Sequence, residues 1–137
     1  MILVDTNVIS ETLRKTPSEA VIAWLVRYDA ELALPTVTIA EIACGIQKIM
    51  PDQRAERLQQ GLADWRQRFA DRIFGLTEEA AMAYGEIMGT ASRQGRVMSA
   101  PDGLIAAIAR VNGGRLVTRN LANFATTGLD LISPWDF

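Results

Sequence analysis

Residues 1–10 read MILVDTNVIS. Ile2, Leu3 and Val4 form a short apolar run that stops at Asp5-Thr6-Asn7, after which apolar residues return at Val8 and Ile9. A run of this length closed by polar residues marks a buried strand. A carboxylate at its end stands either at a helix start or at a ligand site.

The same alternation continues along the chain. Short apolar runs at Ile2–Val4, Leu32–Leu34, Ile73–Leu76, Leu116–Val117 and Leu131–Ile132 are expected strands. Helical stripes lie between them: Val21, Trp24, Leu25 and Tyr28; Ala55, Leu58, Leu62, Trp65 and Phe69; Ala81, Tyr84, Met88 and Ala91; Leu104, Ile105, Ile108 and Val111. Stripes of this spacing are read as core. Strands alternating with helices predict an α/β fold with a central, mostly parallel sheet covered on both faces. Ligands of such sheets collect beyond the carboxyl ends of the strands, where Asp5 and Thr118-Arg119-Asn120 stand.

Composition narrows the chemistry. The 137 residues, 49% apolar and 22% charged, suffice for one domain spanning 1–137 with a core that needs no staples. No apolar run approaches the roughly 20 residues that span a bilayer, and no basic region precedes Ile2, so the expected location is cytoplasmic. Cys44 has no disulfide partner and is read as a packing residue on a helix. Histidine is absent, which excludes Ser-His-Asp triads, Cys-His dyads and ordinary zinc sites. Catalysis in this chain leans on carboxylates, hydroxyls, Lys or Arg. With a net charge of −2, a polyanionic substrate needs a local basic patch or bound cations.

Three acids stand out, each with an ordinary explanation. Asp5-Thr6-Asn7 is equally a helix start, because all three residue types accept hydrogen bonds from a first turn. Glu41 closes Thr38-Ile39-Ala40-Glu41, a capping-box pattern, and Asp102 closes Ser99-Ala100-Pro101-Asp102, an acidic variant with Pro in the first turn. Taken together they say more. Helix starts that follow strand ends at one edge of a parallel sheet share a crevice. Carboxylates gathered there are tolerated chiefly when some are protonated or when hard divalent cations such as Mg²⁺ or Mn²⁺ bind among them. Such a site suits hydrolysis of phosphodiesters, which requires no side-chain nucleophile. Thr6 and Thr118 add hydroxyls able to hold a water or a phosphate oxygen.

The stretches ILVDTNVIS, TVTIAEIACGI, SAPDGLIAAIA and LVTRNLANF, in this order and followed by Pro-Trp near the C-terminus, resemble a PIN domain, and more narrowly the VapC and FitB ribonuclease toxins of bacterial toxin–antitoxin pairs. The resemblance covers essentially the whole chain. It implies an α/β/α sandwich around a mostly parallel sheet, Mg²⁺- or Mn²⁺-dependent cleavage of RNA, homodimerisation, and neutralisation by a small DNA-binding antitoxin in a higher assembly. Carried over by position, Asp5, Glu41 and Asp102 match the metal-binding acids, Thr6 and Asn7 the site-ordering polar residues, and Thr118 the hydroxyl beside the site. The family places a fourth acid at the position of Asn120 or of Asn123, and this chain has Asn at both. An Asn carbonyl still ligates a metal or orders its water, without charge. Arg119 within the last motif, Arg14 and Lys15 after the first, and Arg93 and Arg96 before Asp102 are candidates to meet RNA phosphates. An acidic crevice also suits the Arg or Lys side chains of a basic antitoxin tail.

Two rival readings remain at this stage. One is a catalytically weak PIN-like protein-binding module, which the neutral Asn pair favours. The other is phosphotransfer through an aspartyl phosphate at Asp5, which favours a second acid two residues on, where this chain has Asn7.

Overall fold

The computed structural model describes residues 1–136; Phe137, the last residue of the expected domain, lies outside the described residues. Five strands form the sheet: β1 (Ile2–Val4), β2 (Leu32–Pro35), β3 (Ile73–Phe74), β4 (Arg115–Val117) and β5 (Asp130–Ile132). The order is β3-β2-β1-β4-β5 and every pairing is parallel. All five expected strands are present. The third is shorter than expected, two residues rather than four, and stops before Gly75.

Among the described residues six α-helices connect and cover the strands: α1 (Thr6–Thr12), α2 (Glu19–Arg27), α3 (Thr36–Ile49), α4 (Arg54–Arg68), α5 (Glu78–Arg93) and α6 (Ala100–Val111). Because successive strand residues point to opposite faces, β1 serves two cores. Ile2 and Val4 pack with Leu32, Leu34 and Val117 beneath Val8, Ile9, Trp24, Leu25, Ile42, Ile46 and Leu62. Leu3 points the other way, with Ala33 and Leu116, against Ile87, Ile105, Ile108 and the alanines Ala80, Ala83, Ala106, Ala107 and Ala109. The sheet is thus covered on both faces.

Three helix readings are corrected. The buried face of α5 is Ala80, Ala83, Ile87 and Ala91, one position round from the expected stripe, and Ala81 is exposed. Tyr84 and Met88 flank that face because they lie over Gly103 of α6, where a side chain would meet Met88 Sδ at 2.5 Å and Tyr84 Cε2 at 2.9 Å. Helix α6 is buried over most of its circumference, from Ile105 through Ala109, with Leu104 and Val111 only partly covered. Its three buried alanines, Ala106, Ala107 and Ala109, and Gly103 let it sit between the sheet and α5. Cys44 is exposed, since α3 buries Thr38, Ile42 and Ile46 and a residue two positions from Ile42 points away from that face.

Among the described residues no helix is long and apolar enough to cross a membrane.

Candidate active site

Strand register builds the site. Leu3 pairs with Leu116 and Val4 with Val117, so the next residues, Asp5 and Thr118, leave adjacent parallel strands side by side. Asp5 caps α1, its Oδ1 accepting the Thr6 backbone N–H at 2.8 Å. Its Oδ2 accepts the Thr118 hydroxyl at 2.7 Å and the Asn7 amide at 3.1 Å. Helix start and site are therefore the same feature. Asn7 also accepts the Arg119 backbone N–H at 3.1 Å, joining the end of β4 to α1.

Glu41 arrives differently from the expected capping box. Helix α3 begins at Thr36 behind Pro35, so Thr38 is already inside its first turn and its hydroxyl donates to the Val4 carbonyl at 3.0 Å. That bond docks α3 on the end of β1. One turn later, Glu41 Oε1 accepts the Thr6 hydroxyl at 2.6 Å. Asp102 sits in the first turn of α6, where Ser99 caps the helix by accepting the Asp102 N–H at 3.3 Å, with Pro101 in that turn as expected. Asn123, from the 3₁₀ turn Leu121–Phe124, stands beside the Asp102 carboxylate and works to lower its pKa.

One open cleft of about 580 Å³ is lined by Asp5, Thr6, Asn7, Glu41, Asp102 and Asn120 together with Ser10, Glu11, Arg14 and Arg119, and Asn123 lies outside that lining. Thr118 lies buried beneath it. Lys15, Arg93 and Arg96 do not line it; Arg96 instead donates to the Ala122 carbonyl at 2.8 Å, bracing the turn between Asn120 and Asn123. Glu11 was missed from the sequence, although its spacing from Asn7 and Arg14 on one helical face was the available signal.

The electrostatics follow from burial. Desolvation, reinforced by the charges of Asp102 and Glu41, pushes the Asp5 carboxyl up to about 6, against the pull of its hydrogen bonds from Thr118 and Thr6. Burial also raises the Asp102 carboxyl, which the Ser99 and Asn123 contacts partly offset. Among the described residues no group of three His, Cys, Asp or Glu side chains is placed to hold a metal ion by itself. The donor chemistry nonetheless suits a hard divalent cation: carboxylate, hydroxyl and amide oxygens, with no sulfur or imidazole. Mg²⁺ commonly keeps several waters and takes only one or two protein carboxylates. A cation would also offset the desolvation of Asp5 and the repulsion that adds to it.

The PIN domain model matches residues 2–128. The chain belongs to the PIN-domain family. This PIN domain is similar to the VapC ribonuclease Y4jK of Sinorhizobium fredii, 35% identical with 99% of each chain covered. It is also similar to the toxin FitB of Neisseria gonorrhoeae, 36% identical over 98% of this chain and 99% of that one. Among solved structures it resembles that of FitAcB from Neisseria gonorrhoeae, with a TM-score of 0.91, 34% identity and full coverage of both chains. The expected fold, a PIN α/β/α sandwich, is therefore the observed one.

Proposed function

We propose that this chain, a single PIN domain, is a divalent-metal-dependent endoribonuclease and the toxin of a toxin–antitoxin pair, acting in the cytoplasm as a homodimer. The observation that carries the reading is the meeting of Asp5, Glu41 and Asp102 in one cleft at the carboxyl edge of the sheet, in a chain without histidine. Relatives named ribonuclease and toxin support it.

Asp5, Asp102 and Glu41 would hold Mg²⁺ or Mn²⁺, with the Asn120 carbonyl available at the edge of the cleft. The chemistry such an ion supplies when bound is Lewis-acid activation of water and neutralisation of charge at a phosphodiester. The chain's own contribution is order. Thr118 and Asn7 fix Asp5 Oδ2, the Thr6 N–H fixes Oδ1, and the Thr6 hydroxyl fixes Glu41. Arg14 and Arg119 bring positive charge to the rim, where RNA phosphates enter. A DNA-binding antitoxin with a basic tail is the partner whose charge complements the same acids.

Incubating purified protein with total RNA tests the nuclease reading. Cleavage should require added Mg²⁺ or Mn²⁺, stop with chelator, and be lost in Asp5→Asn and Asp102→Asn variants that still fold. Parental activity in either variant sinks the assignment at that residue. Co-expression with the neighbouring reading frame tests the partner; a neighbour that neither co-purifies nor suppresses toxicity counts against the toxin role. The neutral Asn120 and Asn123 favour the second reading, a weakly catalytic binding module, which predicts partner capture with no metal-dependent cleavage.

A further inference from the structure

Glu11 is an acid in the wall of this cleft whose partners are not those of the other acids. It lies near the end of α1 and is only 4% exposed. Its Oε2 accepts the Ser18 backbone N–H at 2.9 Å, at the cap of α2. Both its oxygens also accept from Arg14 Nη1, at 3.2 Å each. Burial works to raise this carboxyl, yet the Ser18 N–H and Arg14, with Arg119 farther off, hold it below the usual range. It is therefore a fixed negative charge.

Arg14 is its opposite in exposure, with 63% of its side chain open to solvent. Among the described residues its guanidinium donates through Nη1 alone, to Glu11, which leaves most of its five N–H groups unused. An arginine free to swing beside an acidic cleft would fall onto the nearest carboxylate. No ion pair among the described residues joins Arg14 or Arg119 to Asp5, Glu41 or Asp102. Arg119 is parked by other means, its guanidinium 5.0 Å above the Trp135 ring.

We propose that Glu11 is a positioning residue that ties Arg14 back from Asp5, Glu41 and Asp102 and turns its remaining guanidinium N–H groups toward the phosphate of an RNA strand entering the cleft. The assignment rests on the nuclease reading above. The bond to Ser18 is the structural half of Glu11's work, joining the end of α1 to the start of α2. The bond to Arg14 is the functional half. Glutamine at this position keeps an acceptor for Ser18 and removes the charge that holds Arg14, so Glu11→Gln separates the two.

The test is steady-state cleavage of a single-stranded RNA oligonucleotide that the wild-type protein cuts, titrated with Mg²⁺, for wild type, Glu11→Gln, Arg14→Gln and the double variant. Glu11→Gln should raise KM about tenfold while leaving kcat within about twofold. It should also raise the Mg²⁺ concentration giving half-maximal activity, because the released guanidinium competes for the acids. The double variant should have the KM of Arg14→Gln alone. Its Mg²⁺ midpoint should return to the wild-type value, which loss of structure cannot produce. Additive KM losses, or a Glu11→Gln midpoint equal to wild type, overturn the proposal. Should Glu11→Gln fail to fold, Arg14→Gln decides alone, an unchanged KM overturning the role. A wild type that cuts no RNA with Mg²⁺ or Mn²⁺ removes the nuclease reading and this one with it; a wild type that cuts beside unaffected variants removes only the positioning role.

Discussion

Thr118 donates its hydroxyl to Asp5 Oδ2 at 2.7 Å, and both residues are buried although 113 positions separate them. The same hydroxyl oxygen accepts the Asn120 N–H at 3.1 Å. Thr118→Val keeps the shape and removes both bonds, together with the longer one from the Asn7 amide at 3.5 Å. The metal-free variant should lose about 1–3 kcal/mol of stability at pH 8, where Asp5 is ionised. The loss should be smaller at pH 4, where a protonated Asp5 needs the donor less. Denaturant midpoints at the two pH values in chelator measure this, and equal losses would falsify the link to Asp5 ionisation.

The Asp5 carboxyl itself makes metal-free stability depend on pH. Its folded value of about 6 lies above the ordinary 3.8. Between these values the folded protein keeps a proton that the unfolded chain has released, so stability falls as pH rises through the window. Asp5→Asn removes that dependence. Relative to wild type, the variant should gain on the order of 2–3 kcal/mol between pH 4 and pH 8, from a shift of about two units. Saturating Mg²⁺ should cancel the gain by stabilising only the wild type. Urea unfolding across the range, with and without Mg²⁺, checks both parts; a flat difference contradicts the raised carboxyl.

The two asparagines at the fourth-acid positions are separated by the structure. Asn120 lines the cleft, whereas Asn123 does not and instead stands where it works to lower the Asp102 pKa. Affinity in hard-oxygen sites rises with ligand charge. Asn120→Asp should therefore lower the Mg²⁺ concentration giving half-maximal cleavage. Asn123→Asp replaces a hydrogen-bond donor with a like charge beside Asp102 and should raise that concentration or leave it unchanged. Titrating Mg²⁺ against one fixed RNA for the three proteins decides which position is the ligand. A lower midpoint from Asn123→Asp alone reverses the assignment.

Gly103 follows Asp102, and its missing side chain is what lets α6 approach Met88 and Tyr84 of α5. Met88 can yield, but the Tyr84 ring cannot do so without moving α5. Gly103→Ala should cost about 1–3 kcal/mol through overpacking. It should also lower cleavage activity, because the displaced first turn carries Asp102. A thermal melt and an activity assay on one preparation test this. Full stability with Ala at 103 shows that the helices have room.

Much of this molecule was legible in short stretches. The five strands and the Ser99 cap of α6 were readable because strand runs and helix caps are encoded over a few adjacent residues. The parallel sheet was inferable from the alternation of strands and helices. Asp5 was readable as a helix cap for the same reason. The departures each needed a neighbour. Thr38 resembles the start of a capping box, but Pro35 had already set the helix boundary and the Val4 carbonyl claims its hydroxyl. The buried face of α5 shifted by one residue because α6 presents Gly103 to Tyr84 and Met88. Cys44 is exposed because α3 turns Ile42 and Ile46 to the sheet.

By itself the sequence determined the types of element, their order along the chain and the acids available for chemistry, because hydrophobic period, caps and residue chemistry act over one or two turns. The tertiary structure decided which polar groups meet. The register of β1 against β4 sets Thr118 on Asp5, and the docking of α3 on Val4 brings Glu41 to Thr6 across 35 positions. Those partnerships depend on where chain segments distant in sequence are packed, which no local pattern of residues encodes.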